Sequence, residues 1–259
     1  MSEANENILY GSNPLREALK QGRPINRVWI ARDKNDRITA EIVKRCHDRG
    51  IPYSKVDKAA LDRIVGGQAH QGFAAQVAPK QYTPWTQMLE RAVSLRQIPL
   101  IVMLDEVEDP QNLGAALRSV EALGAHGIVL PKHRAAPLTF GAASASAGAL
   151  EYVPVDRVTN LAQTLEAMKK EGLWALGATA GAGQTIYRID LTVPLVIVMG
   201  GENKGLSPLM TKKCDMLGCI PMSGEINSLN VSAALAIVLS EANRQRGLQL
   251  AQIEASEGK

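Results

Sequence analysis

The 259-residue sequence contains no apolar run close to the roughly 18 residues that a membrane-spanning helix needs. Its longest, 195–199 and 233–239, read as a buried strand and part of a helix. No basic segment followed by an apolar core opens the chain, so a secretory signal peptide is not expected and a cytoplasmic location is. Cysteine is scarce: Cys46, Cys214 and Cys219 are odd in number and lack metal-ligand spacing, which argues against a disulfide framework and for reduced thiols. Cys214 and Cys219 match no zinc signature, and the four histidines (His47, His70, His126, His133) are scattered, so no metal is expected. Aromatics are few (2 Phe, 5 Tyr, 3 Trp), which leaves little for a base-stacking platform.

Familiar nucleotide motifs are missing too. Gly200 and Gly205 have the outer spacing of a phosphate-binding loop, but Leu206 and Ser207 follow where Lys and Ser/Thr are required. Gly177, Gly181 and Gly183 are in the wrong order for a dinucleotide fingerprint, and no Gly-x-Ser-x-Gly elbow occurs. A P-loop NTPase, a nicotinamide enzyme and a serine hydrolase of that type are thereby disfavoured.

What is present is an ordinary globular composition, 46% hydrophobic and 21% charged, in a chain long enough for two cores. The net charge of +3 is unevenly spread: Lys+Arg against Asp+Glu is 14 to 9 over residues 1–80 and 15 to 17 over the rest. A basic front end suggests a polyanionic partner. A solvated surface with an uneven draw of charges explains the imbalance equally well. Candidate phosphate contacts in this part are Arg16, Arg23, Arg27, Arg32, Arg37 and Lys44.

Residues 8–78 read as a small α/β unit. Ser12, Asn13 and Pro14 form a helix start, 27–31, 51–56 and 72–77 are strands, 36–49 is a helix, and Asp57 caps a further helix. A proline-bounded connector with one polar helix follows. The expected organisation is therefore 1–78, a substrate-binding domain; 79–98, a linker; and 99–259, a second domain. In that second domain the apolar runs 100–104, 127–130, 173–176, 195–199 and 217–221 lack polar alternation, as strands of a mostly parallel sheet buried on both faces do. Helices are expected at 113–123, 160–171, 208–214 and 231–246.

Three segments each end a buried strand in small and polar residues: LDEVEDPQNLGAALRS (104–119), VMGGENKGLS (198–207) and IPMSGEINSLNVSAAL (220–235). In open α/β sheets, ligands sit at the carboxyl ends of strands. Each segment also has a structural explanation: Asn112, Ser228 or Asn230 as a helix cap, Gly200, Gly201 and Gly205 as a tight turn.

Taken in order, the three segments resemble the three motifs of the SpoU/TrmH family of RNA ribose 2′-O-methyltransferases. Asn112, Leu113, Gly114 and Arg118 match the first motif; Gly200, Glu202 and Gly205 the second; Ile220–Met222 and Ser228–Ser232 the third. Ile8–Gly11 and His70–Gly72 look like the N-terminal substrate-binding domain of the RlmB subgroup, which acts on a guanosine of 23S rRNA and whose front domain resembles certain ribosomal proteins. The resemblance implies a SPOUT-type, trefoil-knotted α/β catalytic domain, a homodimer, an RNA substrate and S-adenosyl-L-methionine as methyl donor. It implies a donor site on Gly200, Gly201, Ile220, Met222 and Leu229, and a catalytic set of Arg118, Asn112, Glu202, Ser228 and Asn230. Arginine holds its proton too tightly to serve readily as a base, so Arg118 is expected to orient the ribose-phosphate and polarise the hydroxyl.

Two departures are visible: Ser144 lies where a lysine is expected, and Gly201 where the family often carries alanine or serine, a change that looks harmless in size. A tRNA or other rRNA substrate is the near alternative. A non-catalytic RNA-binding or ribosome-assembly protein and a small-molecule methyltransferase are the distant ones.

Overall fold

The strand–helix alternation of the front third folds into a four-stranded mixed sheet. The computed structural model describes residues 7–201, 205–225 and 228–257. The elements of the front third are β1 (Ile8–Tyr10), α1 (Ser12–Lys20), β2 (Ile25–Ala31), α2 (Arg37–Asp48), β3 (Tyr53–Val56), α3 (Lys58–Val65) and β4 (Phe73–Val77). The strand order is β1-β4-β2-β3, with β4 antiparallel to β1 and β2, and β2 parallel to β3. Leu9, Val28, Ile30, Leu61 and Phe73 from the strands and helices fill its core. Asp36 caps α2, its Oδ1 accepting from Thr39 N–H at 2.8 Å, as the sequence suggests. Two other expected caps are absent. Gly11, at φ 98°, occupies the cap of α1 without a side-chain bond, and Ser12 instead donates its hydroxyl to Gln71 Oε1 at 2.8 Å. Asp57 makes no cap bond and lies 3.4 Å from Arg32.

The remaining elements are α4 (Trp85–Ser94), β5 (Leu100–Asp105), α5 (Pro110–Ala122), β6 (Gly127–Pro131), α6 (Phe140–Ala145), β7 (Val155–Val158), α7 (Leu161–Lys170), β8 (Trp174–Ala178), β9 (Leu195–Gly200), α8 (Pro208–Lys213), β10 (Met216–Gly218) and α9 (Val231–Glu257). The six strands form one sheet in the order β10-β8-β9-β5-β6-β7, every neighbour parallel. All six residues of β5 are buried, which is why the run lacks polar alternation. Ile101, Met103, Val196 and Val198 pack on one face with Met88 of α4, Leu165 and Met168 of α7 and Met210 of α8. Residues of opposite parity turn to the other face, and α5 packs there with α9.

The chain divides into two units, Met1–Gln81 with Pro137–Tyr152, and Tyr82–Ala136 with Val153–Lys259. Segment 137–152 lies within the stretch read from sequence as the second domain, yet it is built into the first unit. Ser144 Oγ donates to the Tyr10 carbonyl at 2.7 Å, and Glu151 pairs with the buried Arg23 at 2.6 Å. The connector helix is not polar all round: Met88 and Ala92 of α4 are fully buried in the second unit. Helix α9 also runs well past the expected end at 246, because the interior Gly247 costs only about 1 kcal/mol among good helix formers. No helix among the described residues is long and apolar enough to cross a membrane.

Arg246 of α9 ties the amino-terminal ends of the two central strands of the second sheet. Its Nε donates to Leu191 O (3.0 Å), Nη1 to Ile98 O (2.6 Å), and Nη2 to Pro99 O (3.0 Å) and Val193 O (2.8 Å), the carbonyls that precede β5 and β9. Burial pushes its pKa down to about 10, still protonated at neutral pH. Arg246→Met keeps the apolar stem and strips the fork from several carbonyls. The variant should lose about 3 kcal/mol, a typical cost for charge-assisted bonds of this kind, seen as a lower urea midpoint at unchanged slope. A wild-type midpoint would show the fork to be dispensable.

Candidate active site

The carboxyl ends of three neighbouring parallel strands, β8, β9 and β10, enclose a cavity of about 450 Å³. That volume falls within the range of small-molecule sites. Strand β8 contributes Ala178, Thr179 and Ala180; β9 leads into Met199, Gly200, Gly201 and Gly205; the loop after β10 supplies Ile220, Met222, Ser228 and Leu229. Among the described residues the lining holds no charged side chain. Met222 and Leu229, each 39% exposed, are large apolar groups left open to solvent where a ligand could cover them.

Backbone, not side chain, shapes the β9 wall. A Cβ at Gly200 would lie 2.0 Å from the Gly205 carbonyl carbon, and one at Gly201 would lie 2.4 Å from the Glu106 carbonyl oxygen. The loop closes on itself through Gly205 N–H donating to Gly201 O at 2.9 Å, with Gly205 in the left-handed region at φ 62°. The buried Asp105 at the end of β5 holds its far side, accepting from Ser207 N–H at 3.3 Å. The expectation that Gly201 is a size-neutral variation is therefore corrected: a side chain there must displace the backbone of the neighbouring loop.

The sequence offered Asn112 as a cap, and the structure gives that task to Asp109, whose Oδ1 accepts from Gln111 N–H at 3.0 Å. Asn112 sits inside the first turn of α5, buried. Its Oδ1 accepts from Asn230 Nδ2 at 2.8 Å. Asn230 in turn starts α9, its Oδ1 accepting from Ser232 N–H (2.9 Å) and Ser232 Oγ (2.6 Å). One amide thus serves as cap and as strut between two helices that pack together. Gly114, matched to the first motif, is buried in α5 together with Ala116.

The structure brings Gly200, Gly201, Ile220, Met222, Ser228 and Leu229 to one cavity and joins Asn112 to Asn230. It does not put Arg118 in that lining: the residue is exposed on α5. Glu202 and Asn227 lie outside the described residues. The sequence reading missed the β8 wall. The stretch ATAGAG (178–183) ends β8 in a loop of small residues, and its glycines lack the order of a dinucleotide fingerprint. Among the described residues no group of three or more His, Cys, Asp and Glu is placed to hold a metal. Burial pushes the Cys214 thiol up to about 11, far from the thiolate a reactive cysteine needs.

Residues 99–240 match the SpoU rRNA Methylase family, and residues 8–83 match the family described as RNA 2′-O ribose methyltransferase substrate binding. The chain belongs to the SpoU methyltransferase family. An uncharacterized tRNA/rRNA methyltransferase of Mycobacterium avium (strain 104) is 42% identical over 95% of this chain and 79% of its own length. Among solved structures, the SpoU methyltransferase AviRb from Streptomyces viridochromogenes, in complex with the cofactor AdoMet, superposes with a TM-score of 0.77 at 26% identity, covering 94% of this chain and 91% of that one. The A. aeolicus TrmH/SpoU tRNA modifying enzyme matches 63% of this chain and 86% of its own at a TM-score of 0.54 and 30% identity.

The front unit of this SpoU methyltransferase sorts its candidate phosphate contacts. Arg23 is withdrawn from the set: it is 8% exposed, and its guanidinium is held by Glu151 and by the Ala78 carbonyl at 2.9 and 2.7 Å. Arg16 pairs with Glu41 at 2.8 Å and is half-buried. Arg27, Arg32, Arg37 and Lys44 are exposed. The hydroxyl of Ser144, where a lysine was expected, is turned onto the Tyr10 carbonyl.

Proposed function

We propose that this chain transfers a methyl group from S-adenosyl-L-methionine to a ribose 2′-hydroxyl of RNA, the acceptor being a guanosine of 23S rRNA, and that it works as a homodimer. The observation that carries the reading is the cavity at the ends of β8, β9 and β10, whose described lining is uncharged and where Gly200 and Gly201 leave room that a Cβ would fill. An adenosine fits such a lining: backbone groups of Gly200, Ile220 and Leu229 offer donors and acceptors, while Met222 and Leu229 cover its apolar face. The AdoMet complex of AviRb, a neighbour of the same fold, supports the choice of ligand.

When bound, S-adenosyl-L-methionine supplies an electrophilic methyl group on a sulfonium. The chain's own residues then have two tasks, to align the acceptor and to help its proton leave. Arg118, exposed on α5, orients the ribose-phosphate and polarises the hydroxyl. Asn112 and Asn230 fix α5 against the start of α9, where Ser228 and Leu229 meet the cavity. The front unit, matched to a substrate-binding family, holds the RNA.

Ribose-methylation mapping of total RNA from cells lacking the protein tests this reading. One 23S rRNA guanosine should lose its 2′-O-methyl group, and the purified chain should restore it in vitro. A tRNA position lost instead would favour the second reading, which rests on the likeness to the A. aeolicus tRNA modifying enzyme. An unchanged methylation map, with no binding of S-adenosyl-L-methionine by calorimetry, would overturn both.

A further inference from the structure

The first unit has a cavity of its own, about 440 Å³, that methyl transfer leaves without a task. Its walls are the end of β2 with Asp33 and Lys34, the face of α3 with Lys58 and Asp62, and the loop from Gly67 to Gly72. The loop is tied down at several points. His70 is buried; its Nδ1 accepts from Gly72 N–H at 2.9 Å, and its Nε2 lies 3.0 Å from Asp62 Oδ1. A single proton on Nε2 satisfies both bonds, so the neutral ring is fixed in one tautomer. Gln71 is held in the left-handed region, φ 54°, while its Oε1 accepts from Ser12 N–H and Oγ. Gly72, φ 89°, lies beneath the stem of Lys34, where a Cβ would come within 2.8 Å. A non-glycine residue kept in this strained region by a specific side-chain bond is a pattern concentrated at binding sites.

The functional groups left over have a clear chemical sense. The backbone N–H groups of Gln68, Ala69 and Gln71 donate to no acceptor among the described residues. Lys58 forms no ion pair there, and Lys34 has only Asp36 at 3.8 Å. Two ammonium groups beside unpaired amides suit a phosphate. The exposed carboxylate of Asp33 suits the opposite chemistry, a base edge that donates. Guanine presents two adjacent N–H donors on one edge, which a carboxylate can accept together. The edges of the other bases set a carbonyl or ring-nitrogen lone pair against it. The volume admits one nucleotide and no helix, and single-stranded RNA is read through such splayed bases.

We propose that this cavity captures one unpaired nucleotide of the RNA, its phosphate on Lys34, Lys58 and the loop amides and its base, guanine in preference to the others, on Asp33. The inference rests on reading the front unit as the RNA-holding part. It adds a point of recognition separate from the methyl-donor cavity.

The test uses the full chain, with guanosine, adenosine and uridine 5′-monophosphates as probes in amide chemical-shift titrations. The guanosine nucleotide should bind most tightly and shift residues 67–72. In methyl transfer, the Lys34→Ala/Lys58→Ala double variant should raise KM for RNA about tenfold, with kcat and S-adenosyl-L-methionine affinity unchanged. Asp33→Asn should flatten the preference among bases. The inference is overturned if the double variant keeps a wild-type KM, or if the probes shift only residues around the second unit's cavity; RNA methylation by the wild type would then still stand. Conversely, a wild type that methylates no RNA but loses nucleotide binding at residues 67–72 in the double variant would refute the functional reading and support the nucleotide site.

Discussion

Gly200→Ala should abolish binding of S-adenosyl-L-methionine at concentrations that saturate the wild type, at least a hundredfold loss of affinity, and lower the stability of the second unit by about 3 kcal/mol. The atoms that a new Cβ meets are the Gly205 carbonyl carbon at 2.0 Å and the Leu206 amide nitrogen at 2.1 Å. Both belong to the backbone, so no rotamer change can clear them. Gly200 is also the last residue of β9, in register with Asp105 of β5, and it cannot move away without opening the sheet. The remaining escape is for the loop beyond Gly201 to swing out. That breaks the Gly205–Gly201 bond, pulls Ser207 from Asp105, and removes one wall of the cavity. Gly224→Ala is the control: among the described residues nothing lies within 4 Å of its Cβ position, and both affinity and melting temperature should stay at wild type. Calorimetry and thermal unfolding read the two effects separately. A Gly200→Ala protein that binds the donor normally would move the donor site away from the β9 loop.

That clash was not legible in the sequence, although the glycines were. A turn of Gly200, Gly201 and Gly205 can be written from the residue types. That Gly201 lies against the Glu106 carbonyl follows only once β5 and β9 are neighbours. The central strands were legible because burial on both faces leaves an unbroken apolar run, as in β5 and β9. Two of the four edge strands were not: β7 reads Val-Asp-Arg-Val and β1 is three residues long, so neither carries a recognisable pattern until a neighbour supplies its partners. The same limit applies to polar residues. Asn112 and Asn230 each pass for a local cap, and only the packing of α5 on α9 turns them into a pair. Arg23 passes for a surface cation until segment 137–152 returns to cover it with Glu151. Charge type was readable from sequence; which charges face water was not.

Arg118→Ala should reduce kcat for methyl transfer by about 10²–10³-fold, the usual cost of removing one preorganised polar contact to the reacting group, while the affinity for S-adenosyl-L-methionine is unchanged. The separation follows from position. Arg118 is exposed on α5 and absent from the lining of the donor cavity, so its loss should leave the donor's contacts intact. Its guanidinium is a planar fork with a permanent charge, suited to gripping a phosphate and a ribose hydroxyl together rather than to taking a proton. Arg118→Lys keeps the charge and loses the fork. It should recover only about a tenth of the lost rate, because a point charge cannot fix the direction of the hydroxyl. Raised salt should weaken RNA binding in both variants as in the wild type, since the proposed reading puts most of that attraction on the front unit. Single-turnover rates at saturating RNA distinguish a failure of alignment from a failure to bind. An Arg118→Ala protein turning over near the wild-type rate would make this arginine a solvated helix residue, and the acceptor hydroxyl would have to be oriented by other groups bordering Asn112 and Asn230.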